Sequence, residues 1–118
     1  MTAAGKVFDC DWRADVLPKE PNKAARPAIV VEDSGLFPPD FPNVVVVACT
    51  RHLDFAIPSL SVRIDPDTAN GLDAVSYAVA HQVTVVSKRR LGKLRGVVTP
   101  EILEAIRAAV AESLGIVA

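Results

Sequence analysis

The sequence predicts a mainly β protein: a small barrel of short strands with one C-terminal α-helix laid against it. Three observations carry this expectation. A continuous apolar run, NVVVVACT, stops abruptly at Thr50, Arg51 and His52. Short strand-like segments flank the run, separated by connections built from turn residues. Residues 99–115 alone repeat their apolar side chains with helical spacing.

The apolar run organises the rest. Val44, Val45, Val46 and Val47 are β-branched residues that lose χ1 freedom in a helix and fit a pleated strand. An unbroken apolar run, rather than an alternating one, implies burial on both faces, so residues 43–50 are expected to form the central strand. Its end delivers a hydroxyl, a guanidinium and an imidazole to the place where the backbone leaves the core, a natural position for a ligand site.

Taken in order, residues 6–12, KVFDCDW, alternate as a strand with Val7 or Phe8 turned inward. Asp9 and Asp11 share a face and must look outward or be paired. Residues 13–25 contain Pro18, Pro21 and several charges without periodicity, and read as a long loop of the kind that is functional or mobile. Residues 26–31, RPAIVV, form the next strand. Pro27 belongs at its first position or on an edge, and it holds Arg26 in extended geometry at the loop–strand junction. Residues 32–42 are a second long loop, whose Leu36, Phe37 and Phe41 should pack on the domain or on a partner.

Beyond the central strand, residues 54–58 are a turn, and residues 59–65 alternate with Leu60, Val62 and Ile64 on one face. Residues 65–71, DPDTANG, are turn chemistry with Asn-Gly as the strongest signal. Residues 74–79 and 82–87 are two short strands around His81, and residues 91–98 a last strand with Gly92 and Gly96 as bends or bulges. The helix follows, with Thr99 as its cap, Pro100 in its first turn, Glu101 at the positive end of its dipole and Gly115 at its end. Ile102, Ile106, Val110 and Leu114, with Leu103 beside them, make its apolar stripe.

A chain of 118 residues fits one domain, spanning 1–118. Half of it is apolar, 5% is aromatic and the formal charge is −1, the profile of an ordinary soluble protein. No apolar run reaches the roughly 18–20 residues of a membrane span. The start, MTAAGK, lacks the regions of a secretory signal, which makes the cytoplasm the expected compartment. Cys10 and Cys49 sit in apolar strand-like runs and read as buried free thiols. Together with His52 and His81 they lack the short ligand spacing of a zinc site, so neither metal nor other cofactor is expected.

Between Asp73 and Glu101 there is no acidic residue, and Lys88, Arg89, Arg90, Lys93 and Arg95 lie inside that stretch. They read either as a solvated face or as a patch for phosphates, since clustered cations supply the sequence-independent part of nucleic-acid affinity. The low aromatic content argues against a base-stacking platform of the RRM or OB type.

The order of these pieces resembles one family. Gly5-Lys6-Val7 opens a strand with an acid at Asp11; a loop follows, then Arg26-Pro27-Ala28 with Ile29-Val30-Val31, and a valine-rich strand ending in Thr50. Ser76, His81-Gln82 and Arg90-Leu91 then precede a terminal helix. From about Gly5 to Gly115 this is similar to the MazF/PemK toxins, which have the CcdB/MazF-like fold. The resemblance implies a compact SH3-like barrel with helices, a homodimer, and metal-independent endoribonuclease action on single-stranded RNA at short motifs. It also implies a MazE/PemI-like antitoxin whose acidic tail occupies the RNA groove.

Carried over by position, the family's catalytic arginine falls on Arg26 and its catalytic threonine on Thr50. The family's loop glutamate, five residues before that arginine, is Pro21 here, with Glu20 one step away; where many members carry Asp-Gln, this chain has His81-Gln82. Cleaving RNA by attack of the 2′-OH on the adjacent phosphorus needs a base, an acid and positive charge for the developing oxyanion. Arg26 suits the oxyanion, Thr50 a phosphate oxygen, and His81 the proton transfer, with His52 second. Glu20, Lys23, Arg51, His52, Gln82, Lys88, Arg89 and Arg90 complete the expected RNA contacts. Each has a plainer reading: Thr50 a strand-end hydroxyl, Arg26 a loop ion-pair partner, His52 a surface residue, and His81 a structural histidine bonding the loop backbone. Two rival functions share the fold. One is a gyrase-poisoning, CcdB-like toxin that binds a protein, and the other is a catalytically degenerate homologue.

Overall fold

The computed structural model of the chain describes residues 2–12, 26–52 and 57–116. Among them are seven strands and one α-helix, in the order β1 (Lys6–Cys10), β2 (Arg26–Val30), β3 (Asn43–Thr50), β4 (Ser61–Ile64), β5 (Ser76–Val79), β6 (Thr84–Ser87), β7 (Leu91–Val97) and α1 (Pro100–Ser113). No helix among the described residues is long and apolar enough to cross a membrane.

The valine run is the central strand, as its composition requires. β3 pairs with β2 along one edge, while its other edge is shared: β6 takes the Asn43 half and β5 the Thr50 half, all antiparallel. The resulting order is β4–β5–β3–β2–β1–β7, with β6 added to β3. Alternate residues of β3 face two separate apolar clusters. Val47 and Cys49 join Val7, Ile29, Ile64 and Ala78 beneath the helix, and Val44, Val46 and Ala48 join Phe8, Trp12, Val30 and Val86 on the opposite face. Burial on both sides is why the run does not alternate.

The expected barrel needs a correction. β4 and β7 are the two ends of the strand order and do not pair with each other, so the sheet curls without closing. The curl has two local causes. Two strands split one edge of β3, and β7 carries extra residues against β1: Val7 pairs with Gly96, Phe8 with Leu94 and Cys10 with Leu91. Each extra residue bends a strand and increases its twist. The bulges fall beside the two glycines expected to mark them. At Gly96 a side chain is impossible, because the Ala69 carbonyl lies where a Cβ would stand.

Several boundaries move inward. Pro58–Leu60 form a 3-10 turn, with Leu60 N donating to Ile57 O at 2.9 Å, so β4 begins later than the alternation implied. β5 starts at Ser76 and β6 at Thr84, because Ala80–Gln82 form another 3-10 turn between them. The helix begins and ends as read. Thr99 Oγ1 accepts from Ile102 N at 3.2 Å. At the other end Gly115, at φ +74°, lets Ile116 N reach Ala111 O and its own N reach Glu112 O, the paired bonds of a Schellman stop. Ile106 is fully buried, and Ile102, Leu103 and Val110 pack beside it, but Leu114 is 62% exposed because it lies past the last helical turn. Arg107 fastens α1 to the sheet by donating to the carbonyls of Val31 and Glu32, both at 2.9 Å. In the loop before β3, Phe37 packs on Phe41 with ring centroids 6.0 Å apart, whereas Leu36 remains 77% exposed.

Candidate active site

The register of β2 against β3 builds the site. The β2–β3 ladder runs from Ala28–Ala48 to Val30–Val46, so Arg26 and Thr50, each two residues beyond its last pair on the same side, come to the same end of the sheet. Both positions are held from outside as well. Arg26 pairs with Cys10 on β1, and its carbonyl accepts from Trp12 Nε1 at 3.1 Å; Thr50 pairs with Tyr77 on β5. Pro27 therefore sits inside a paired region at the second position of β2, opposite Asp9.

A cleft of about 300 Å³ opens at this end of β3, lined by Arg26, Pro27, Cys49, Thr50, Arg51, His52, Leu72, Asp73, Ser76 and Arg95. Thr50 is 1% exposed, and its Oγ1 accepts from His52 N at 3.0 Å and donates to His52 O at 3.4 Å. That short loop of bonds fixes the turn that presents Arg51 and His52, both exposed. Cys49, next to Thr50, also lines the cleft, and it is buried in the cluster beneath the helix. Burial pushes its thiol up to about 12, against the smaller opposing pull of the Arg26 and Arg95 guanidiniums, which keeps it protonated at neutral pH.

Arg95 organises the wall. Its guanidinium donates from Nε to Gly71 O at 3.0 Å, from Nη1 to Asp9 Oδ1 at 3.0 Å and from Nη2 to Asp73 Oδ2 at 2.8 Å. The hydrogen bond from Arg95 holds the Asp73 carboxyl below the usual carboxylate range, and the bonds to Asp73 and Asp9 raise Arg95 in turn. Arg51 Nη2 stands 4.0 Å from the same Asp73 oxygen. The turn that brings Asp73 here is closed by Asn70, only 3% exposed, whose side chain accepts from Asp67 N and Leu72 N and donates to Asp65 O. Gly71, at φ +68°, packs so tightly on the Arg95 backbone that no side chain would fit.

The expected site residues divide into three groups. Arg26, Thr50, Arg51 and His52 come together in the cleft. Glu20 and Lys23 lie outside the described residues. The remainder do not line the cleft. His81 and Gln82 are in the 3-10 turn after β5, which packs against α1, and their Nδ1 and Oε1 atoms are buried there without a hydrogen-bond partner among the described residues. His81 is thus set against α1 and is not among the residues lining the cleft with Arg26 and Thr50.

The basic stretch also disperses. Lys88 follows Ser87, which pairs with Asn43 at the other end of β3, about 23 Å along the strand from Thr50. Its Nζ donates to Pro39 O at 3.3 Å. Arg89 is exposed, and the Arg90 carbonyl accepts from Asp11 N at 2.9 Å. Only Arg95 of that stretch enters the cleft.

Residue types and spacing do not single out Leu72 or Asp73 as cleft residues, and Arg95 had a signal only as one cation of the basic stretch. Asp73 and Arg95 are 22 positions apart and Asp9 and Arg95 are 86 apart, pairings created by the fold. Asp73 had a signal only as the border of the acid-free stretch. Three arginines against one carboxylate leave the lining cationic, suited to a phosphate. Among the described residues no group of three or more His, Cys, Asp or Glu is placed to hold a metal ion.

The chain is similar to several solved structures over its full length. An endoribonuclease from Mycobacterial species, solved in complex with its cognate antitoxin, is 25% identical, with 100% of this chain and 99% of that one covered and a TM-score of 0.72. The Mycobacterium tuberculosis toxin MazF-mt6 is 17% identical over 96% of this chain and 99% of its own, with a TM-score of 0.74. A MazE-MazF structure from Deinococcus radiodurans is 15% identical over 98% and 97%, with a TM-score of 0.67. The last two carry the likeness of fold alone. No curated protein sequence matches this one. Residues 3–114 match the family described as PemK-like, MazF-like toxin of type II toxin-antitoxin system. With nearly its whole length matched, and with the curled sheet and terminal helix of those structures, the chain belongs to the PemK-like, MazF-like toxins of type II toxin–antitoxin systems.

Proposed function

We propose that this toxin acts as an endoribonuclease on single-stranded RNA in the cytoplasm, cutting by attack of a ribose 2′-OH on the adjacent phosphorus. The observation that carries the reading is that Arg26 and Thr50 line one cationic cleft. The guanidinium of Arg26 is permanently charged, planar and able to bind two phosphate oxygens, so it stabilises the negative charge that builds on them in the transition state. Its extended backbone is locked by the β1–β2 ladder and by Trp12, so little reorganisation is needed as that charge develops.

Thr50 has two tasks in this reading. Its oxygen holds the His52 amide, and its proton exchanges the 3.4 Å bond to the His52 carbonyl for one to a phosphate oxygen when substrate arrives. Proton transfer falls to His52, which lines the cleft, rather than to His81, which does not. Imidazole is the side chain suited to giving and taking protons near neutral pH. Arg51 steers the neighbouring phosphate.

An antitoxin with an acidic segment would be recognised by the same cleft, since carboxylates and phosphates compete for the same guanidiniums. The endoribonuclease from Mycobacterial species was solved with its cognate antitoxin, which supports such a partner here. We also take the working unit to be a homodimer, as the family implies.

The test is incubation of the purified protein with a long single-stranded RNA in excess EDTA, with cut sites read by primer extension, for the wild type and Arg26→Ala. Discrete cuts that vanish in the variant support the reading. Intact RNA with a folded wild type overturns it and moves the weight to a toxin that binds a protein.

A further inference from the structure

We propose that Asp73 is the specificity-determining acceptor of the cleft, reading a guanine base through its Watson–Crick edge while the phosphate lies on Arg26. The proposal rests on the ribonuclease reading and goes beyond it by naming the base.

The first observation is that Asp73 is a second and far more exposed counterion to Arg95. Arg95 already has Asp9 as a counterion at 3.0 Å, and that carboxylate is 26% exposed, whereas the Asp73 side chain is 72% exposed. An additional anion on the rim of a cleft that receives phosphates opposes binding, so its presence needs a donor on the ligand to offset it. The second observation is orientation. Both arginines address Oδ2, and among the described residues nothing hydrogen-bonds to Oδ1. Arg95, fastened at Gly71 and Asp9, fixes where that carboxylate stands.

An ionised carboxylate is acceptor-only, so it selects by the donors a base presents. Single-stranded RNA exposes Watson–Crick edges. Guanine offers two adjacent donors there, N1–H and the N2 amino group, one to meet Oδ1 and the other to share Oδ2 with Arg95 through its second lone pair. Adenine and cytosine each set one amino group beside an unprotonated ring nitrogen, which would face a carboxylate oxygen. Uracil sets its one N–H between two carbonyls. Arg51, exposed and alongside, supplies a guanidinium plane on which the base can stack.

The experiment determines the cut motif on a pool of random single-stranded RNA for the wild type and for Asp73→Asn, then measures rates on matched substrates. Asparagine keeps the shape and an oxygen for Arg95. The wild-type sites should share a guanine at one fixed position, and inosine there, lacking the N2 amino group, should slow cleavage about tenfold. In Asp73→Asn the rate ratio of guanine to adenine substrates should fall by about tenfold to a hundredfold, the range for losing a bidentate base contact. A wild-type motif without an invariant guanine overturns the proposal. So does an unchanged motif with faster cutting of every sequence, which would make Asp73 an electrostatic brake. Both leave the ribonuclease reading standing, whereas a wild type that cuts no RNA removes both.

Discussion

The two ends of β3 start from the same material and finish differently. Toward Asn43 the strand is held by β6 and covered by the proline-rich loop, where Lys88 N donates to Pro42 O at 2.9 Å and Lys88 Nζ to Pro39 O. The cavity there is as large, about 300 Å³, but Phe37, Pro38 and Pro39 line it, with Lys88 balanced by Glu32 in the same lining. Toward Thr50 the strand runs into Arg26, Arg51, Asp73 and Arg95, drawn from four separate stretches of chain. Density of positive charge in the sequence therefore does not locate the site. A run of cations on 3-10 turns and an edge strand scatters, whereas single residues at strand ends in register converge.

The sharpest way to break this comparison is to remove one cation from each end. Arg26→Ala should lower RNA cleavage by about 10²–10³-fold, the effect of losing one oxyanion donor, with an unchanged circular dichroism spectrum. Lys88→Ala should leave cleavage within about threefold, since an exposed charge outside the cleft contributes little. Equal losses from both variants would return the basic stretch to the site.

Next in size is the helix that backs the Thr50 end. Ile106 is 0% exposed, so Ile106→Ala should cost about 2–5 kcal/mol in urea denaturation, from lost transfer energy plus the cavity left behind. Thr50→Val keeps the shape and removes the acceptor of the His52 amide. A loss of about 1–3 kcal/mol is expected, because that amide is then left without its partner, together with lower cleavage.

Two pH dependences are smaller. Asp73 sits below the ordinary carboxylate value, so its bond to Arg95 stabilises the fold at neutral pH, and that contribution disappears only as acid protonates the carboxyl through its lowered value. The melting-temperature difference between wild type and Asp73→Asn should be flat at neutral pH and vanish well below pH about 4. The thiols act at the other extreme. Burial raises Cys10 to about 11 and Cys49 to about 12 from 9.0, so the folded state keeps protons that the unfolded chain releases. Stability should fall as pH rises from about 9 toward 12, and a Cys10→Ala/Cys49→Ala variant should show a flatter decline.

What the sequence determined by itself is local. Four consecutive valines specify a strand buried on both faces, and Thr99-Pro100-Glu101 with Gly115 specifies where a helix starts and stops, because those preferences reside in single side chains and their immediate neighbours. The places of Arg26 and Thr50 at the mouths of strands were legible for the same reason. His81 was not, since a 3-10 turn between two short strands redirects it toward α1, and no periodicity announces such a turn. Nor was the open sheet, in which the end strands β4 and β7 do not pair. Only the tertiary structure decided that Arg95 would be divided between Asp9 and Asp73. That pairing depends on the Asn70-Gly71 turn pressing against β7, a contact between segments whose separation along the chain carries no information about their distance in space.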